Sequence, residues 1–220
     1  MAAATRFLAA IARAVVVGRQ DLMAMQNHPV SVLGASGNAG AYLLRISLKA
    51  PVTTTFGRLQ GGRPLPLAAG HYLYAGSARS QRGPSSLPRR LLRHACRTAV
   101  LPPHRIYAEL VATLIAADFT GAFSQQSTKT LHWHIDYLLE LAEAELTAVY
   151  VLRHPDVREV TLVKWLASRP HTGTPVAGFG ASDDPGASHL FAVPAEEFWW
   201  EEFSAQLRTW FDDTVGAVAV

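Results

Sequence analysis

Cysteine is almost missing from this sequence: Cys96 stands alone in 220 residues. That excludes a disulfide framework and a thiolate zinc site, and it fits a reducing compartment. Long apolar runs are missing too, since nothing approaches the roughly 20 residues needed to span a bilayer. The most informative absence is of negative charge. Between residues 22 and 108 there is no Asp or Glu against eleven Lys and Arg, whereas from 109 to 220 sixteen acids face six bases. The net charge of +3 therefore conceals two oppositely charged parts. Attraction between the halves within the fold is one reading, and a first half turned toward a polyanion is the other. Clustered arginine is the footprint of phosphate binding, which favours the second.

What is present is globular: 49% of residues are hydrophobic and 17% charged, outside the range of disordered chains. The opening, MAAATRFLAAIARAVVVGRQD, sets Arg6, Arg13 and Arg19 among small apolar residues with no acid before Asp21. That is the composition of an organellar transit segment or a dispensable extension, and Arg13 interrupts the run a secretory signal needs. Residues 1–38 are expected to be an N-terminal extension and linker, with the cytoplasm as the expected location and organellar import as the alternative.

Alternation and turn residues predict strands over AYLLRISL (41–48), TTTFGRL (53–59) and GHYLYAGSA (70–78), joined by short turns and so antiparallel. Tyr72 and Tyr74 share one face of the third. A loop with Ser85 or Ser86 as N-cap and Pro88 in the first turn leads into a helix, LPRRLLRHACRTAV, ringed by Arg89, Arg90, Arg93 and Arg97. Further on come a helix over 105–117, a strand over 146–155, a helix in VREVTLVKWLASR and a Gly-rich loop running into a last strand. The chain then ends in an acidic helix whose apolar side is expected to hold Phe198, Trp199, Phe203, Leu207, Trp210 and Phe211. Packing on the core is the expected use of that side, ahead of a protein-interaction role.

Lys129 to Glu143, KTLHWHIDYLLELAE, sets His132, His134 and Asp136 at every second position. If extended, the stretch presents all three on one face; if helical, only His132 and Asp136 share one. Asp136 and Glu140, four apart, can face the same cleft. Metal ligation by His132 and His134 is one option, and general acid, phosphate contact or support of neighbouring groups is the other. Glu159 opens a helix and is a third acid, read first as a complement to the helix dipole.

Gly40-Ala41-Tyr42, Tyr74-Ala75-Gly76 and the helical Leu87-Pro88-Arg89-Arg90-Leu91 resemble the plan of GIY-YIG nucleases. Together with LHWHIDYLLE and GFGASDDPGASHLF, they make the chain similar to domain-of-unknown-function family 123, grouped with Uri-type endonucleases, over about residues 40 to 193. The resemblance implies an α/β (α+β) fold: a small, mainly antiparallel sheet flanked by helices in a domain over 39–193. An insertion over 99–127, an N-terminal extension and a C-terminal amphipathic helix over 194–220 complete it.

The same resemblance implies a metal-dependent endonuclease. Tyr42 or Tyr74 would activate water, Arg90 would steady the phosphate, and Asp136 or Glu140 would hold Mg²⁺ or Mn²⁺, with His132 and His134 added to the catalytic set. A tyrosine beside such charges is expected to ionise below its ordinary value of about 10. Arg79, Arg82, Arg89, Arg93, Arg97 and His94 are the expected nucleic-acid contacts, with DNA ahead of RNA. Ser182, Asp183 and His189 are expected to close a loop over the site. Many members of that family carry two cysteines in this loop where this chain has Asp184 and Gly186, which sets aside a metal or redox role for it. The alternative function is a non-catalytic nucleic-acid-binding module of the same fold.

Overall fold

The computed structural model describes residues 28–217 apart from 36, 99–100, 122–128 and 181–186. The expectations for residues 1–27 and for Ser182 and Asp183 lie outside the described residues.

The main sheet has five strands in the order β1-β6-β2-β5-β7: β1 (Val30–Leu33), β2 (Gly40–Leu48), β5 (Gly70–Ala78), β6 (Ala144–Leu152) and β7 (Leu190–Val193). Only β1 and β6 run parallel; β6-β2, β2-β5 and β5-β7 are antiparallel. A two-stranded ribbon of β3 (Val52–Thr54) and β4 (Leu65–Leu67) lies between β2 and β5 in sequence. The strand expected over 53–59 is therefore shorter, because Gly57 takes φ +61 and a 3-10 turn begins at Leu59. The sheet also takes in Val30–Leu33, read from sequence as linker: its four residues ladder onto Val149–Leu152.

Each face of the sheet carries helices, because the central strand β2 is apolar on both sides. Tyr42, Leu44, Ile46 and Leu48 pack into a core with α1 (Leu87–Ala95), α2 (Tyr107–Ala116) and α3 (His134–Leu139). Ala41 and Leu43 face the opposite core, closed by α4 (Glu159–Ala167) and α5 (Glu197–Gly216). Both cores obey the period-two rule for a sheet covered twice. The segment read as an insertion carries α2, whose Leu110 and Leu114 are fully buried.

In α5 the buried positions are Trp200, Phe203, Leu207 and Phe211, spaced three or four apart as one helical stripe. Phe198, expected on that stripe, is 75% exposed. Among the described residues no helix is long and apolar enough to cross a membrane.

Candidate active site

The β7 strand covers β5 only as far as the Tyr74–Leu190 pair. Beyond it, Gly76 and Ser77 run on without a strand on that side among the described residues, and helices from opposite faces of the sheet meet there. From α1, Arg90 Nη1 donates to the Ser77 carbonyl at 2.7 Å. From α4, Glu159 Oε2 accepts from Ser77 Oγ at 2.6 Å. A cavity of about 550 Å³ opens at this junction, lined by Tyr42, Tyr74, Arg79, Arg90, His94, Trp133, Glu159 and His189 among others.

Two glycines explain why the tyrosines can sit there. A Cβ on Gly76 would fall 2.4 Å from the Tyr42 ring, so the glycine after Tyr74 is the space the other tyrosine fills. A Cβ on Gly40 would fall 2.1 Å from the Leu152 carbonyl oxygen, so the glycine before Tyr42 lets β2 lie against β6.

Tyr42 is buried, with its hydroxyl 2.9 Å from His94 Nε2. Burial pushes the ionisation of Tyr42 and Tyr74 well above the ordinary tyrosine value, and the nearby Arg90 charge offsets this only in part. The expectation that one of them ionises early is thus corrected: a phenolate in this apolar setting lacks the hydration it has in water. Burial also pushes His94 down to about 3; Asp136 favours its charged form, while Lys129, Arg90 and Arg93 oppose it. His94 is neutral at neutral pH. Arg90 lies over the Trp133 ring, 4.7 Å from its centroid, which orients the guanidinium along the cavity wall.

Glu159 is the carboxylate that lines this cavity among the described residues. Burial works to raise its pKa, but the contacts with His189 and Ser77, together with the Arg90 charge, more than reverse that and hold it below the ordinary range. His189 Nδ1 lies 2.6 Å from Glu159 Oε1. No trio of His, Cys, Asp or Glu gathers to hold a metal among the described residues. One ionised carboxylate on an open cavity does not fit a closed zinc site, but it fits a hard cation that keeps much of its water and takes its remaining oxygens from substrate.

The HWHID stretch sits behind this cavity. It becomes helical at His134, so the three alternating side chains share no face. His132 is exposed against Trp133, and His134 accepts at Nδ1 from the Gly180 N–H at 3.0 Å. Neither lines the cavity. Asp136 is fully buried. Its Oδ2 accepts from Arg93 at 2.8 Å and from the His132 and Trp133 N–H groups at 2.9 and 3.0 Å. Glu140 pairs with Lys129 at 3.0 Å and accepts from the Thr98 N–H and hydroxyl. These two acids, expected at the metal, instead neutralise buried cations away from the cavity.

The expected nucleic-acid contacts divide in the same way. Arg79 and Arg82 are exposed on the loop after β5, and Arg89 is half-buried. Arg93 donates to Asp136 and the Thr130 carbonyl. Arg97 donates to the carbonyls of Leu139 and Ala144 and lies 3.7 Å from Glu145, so both guanidiniums hold α1 to the following segments. His94 is buried beneath the cavity and offers no surface contact. Part of the charge asymmetry is thus satisfied inside the fold.

Sequence reading passed over Trp133, Ser77 and Lys164, which line or brace the cavity, and placed Glu159 behind two acids that do not. A family model described as domain of unknown function DUF123 matches residues 41–211, most of the chain. No curated protein and no solved structure matches it.

Proposed function

The chain belongs to the DUF123 family, and from that premise we propose that it is a metal-dependent endonuclease hydrolysing phosphodiester bonds of DNA or RNA, DNA ahead of RNA. The observation that carries the reading is the meeting of Tyr42, Arg90, His94 and Glu159 on one cavity. A Mg²⁺ or Mn²⁺ ion held at Glu159 would supply positive charge to the phosphate and acidity to water. Arg90, a planar guanidinium with fixed donor directions, clamps the nonbridging oxygens where charge develops. Tyr42 takes a proton from the attacking water while its own passes along the 2.9 Å contact to His94 Nε2, so it need not ionise first. Exposed Arg79 and Lys164 at the cavity, with Arg158 beside Arg79 on a smaller adjoining hollow, suit the flanking phosphates. A cytoplasmic setting, with Cys96 buried and reduced, belongs to the same reading.

A second reading, a nucleic-acid-binding module without hydrolysis, draws on the occupation of both Glu159 oxygens by Ser77 and His189. One experiment separates them: incubation of labelled duplex, branched and single-stranded DNA and RNA with Mg²⁺ or Mn²⁺, comparing wild type with Tyr42→Phe and Arg90→Ala. Cleavage by the wild type, lost in both variants, supports the nuclease. Binding without cleavage of any substrate replaces it with the module.

A further inference from the structure

The hydrogen bond between Tyr42 and His94 leaves a question of direction. A neutral imidazole carries one N–H, on Nδ1 or on Nε2. If Nε2 carries it, His94 donates to the Tyr42 oxygen and cannot accept that hydroxyl's proton. If Nδ1 carries it, Nε2 is the acceptor.

The other side of the ring decides. His94 Nδ1 lies 3.8 Å from Asp136 Oδ1. Both atoms are buried, and neither has a hydrogen-bond partner among the described residues. Asp136 is ionised: burial works to raise its pKa, but His94, Arg93, the His132 N–H and Lys129 together hold it below the ordinary range. A lone pair on Nδ1 would face a buried carboxylate oxygen, whereas an N–H there faces it favourably and needs only a small approach to become a hydrogen bond. The other charges acting on the ring, Lys129, Arg90 and Arg93, are cations and supply no acceptor for an Nδ1–H.

We propose that Asp136 is a positioning residue that holds His94 in the Nδ1–H tautomer, leaving Nε2 to receive the Tyr42 proton. The relay runs from Tyr42 O–H toward His94 Nε2, and the Asp136 carboxylate offsets part of the cost of charge on a ring that is neutral at rest. Use of the relay in hydrolysis rests on the nuclease reading; the tautomer does not. The proposal also accounts for the aspartate of HWHID. Its Oδ2 is anchored by Arg93 and two backbone N–H groups, which leaves Oδ1 between His94 Nδ1 at 3.8 Å and Lys129 Nζ at 3.9 Å.

The test is a long-range ¹⁵N–¹H correlation spectrum of the full chain, labelled in histidine and held at neutral pH, with His94 assigned by its loss in His94→Gln. The expected spectrum shows a protonated Nδ1 and a bare Nε2 at His94; a proton on Nε2 in the wild type overturns the proposal, and this measurement needs no folded Asp136 variant. In Asp136→Asn the amide oxygen stays with its three donors and the NH₂ turns to His94, which reverses the tautomer. A folded Asp136→Asn protein with the tautomer unchanged also overturns the proposal. In cleavage assays the same variant is expected to lose on the order of 10³-fold in kcat with KM little changed, by the logic of the wrong tautomer in a serine protease triad. If the tautomer reverses as expected but the wild type cleaves nothing, the positioning role stands and the nuclease reading falls.

Discussion

Asp136 and Glu159 each sit in the first turn of a helix, one behind the cavity and one on its wall, and they live in different surroundings. Asp136, on α3, has no exposed surface and is surrounded by Arg93, Lys129, His94 and two backbone N–H groups. Glu159, on α4, keeps 21% of its side chain exposed and touches one hydroxyl and one imidazole. An acid already neutralised by fixed cations and shut away from the cavity gains little from a metal. An acid held by a hydroxyl and an imidazole at the mouth of a cavity can exchange them for one. Removing a partner from the buried network costs about 3–5 kcal/mol, whereas exchanging a neutral hydrogen bond costs only about 1 kcal/mol. The region behind the cavity is therefore built to stay, and the region at its mouth to exchange partners.

The sharpest way to break this contrast is to neutralise one acid from each region. Glu159→Gln is expected to lower cleavage on the order of 10³-fold, about 4 kcal/mol of barrier, with little change in the urea midpoint. Glu140→Gln, which takes from Lys129 the nearer of its two carboxylates, is expected to keep cleavage and lose about 3 kcal/mol of stability. A folded Glu140→Gln protein that no longer cuts would mean that the two regions had been assigned the wrong way round.

The contrast also explains what the sequence disclosed. Strand β5 was legible to the residue, because alternation and flanking glycines are local signals. The tyrosines and Arg90 were legible through the short motifs around them. The four-residue spacing of Asp136 and Glu140 suggested that both face one cleft, whereas both turn to Lys129 and neither lines the cavity. Which way that face points, however, depends on Arg93 and Lys129, brought in from 43 and seven residues away in the chain. Glu159 reaches the cavity only because β7 stops at Tyr74 and leaves Ser77 open to α4. No local pattern encodes where a strand on the far side of the chain ends.

Acid should find the rear region first. His94 and His104 are buried and pushed down to about 3 by burial, His104 further by Arg97 and Lys129. In the unfolded chain both titrate near 6.5. Between about pH 6.5 and 3 the unfolded state therefore binds protons that the folded state refuses. Stability falls with acidification through that window, by up to about 1.4 kcal/mol per pH unit for each imidazole. Asp136 and Glu159, held below the ordinary carboxylate range, act in the same direction at lower pH: their stabilisation is present above the unfolded value near 4 and is lost as pH falls through the folded one. Urea midpoints at pH 7, 6 and 5 measure the slope, and His104→Gln should roughly halve it without touching the cavity. A stability that stays flat from pH 7 to 5 would mean that the rear region is open to water and that its contrast with the mouth is wrong.

The smallest effect tests the same contrast among the arginines. Arg82 is exposed on the loop after β5, while Arg97 is fixed between the carbonyls of Leu139 and Ala144 beside Glu145. Only a guanidinium that meets phosphate releases counterions. With Glu159→Gln as a non-cleaving background, Arg82→Ala should weaken DNA binding a few-fold and reduce the slope of log affinity against log salt by about 0.9. Arg97→Ala should leave the slope unchanged and lower the urea midpoint instead. Fluorescence anisotropy at several salt concentrations reads the first quantity, and chemical denaturation the second. If neither substitution moves the slope, the run of arginines before residue 108 serves the acids that follow it within the fold, and the polyanion reading of the charge asymmetry fails even where the cavity's chemistry survives.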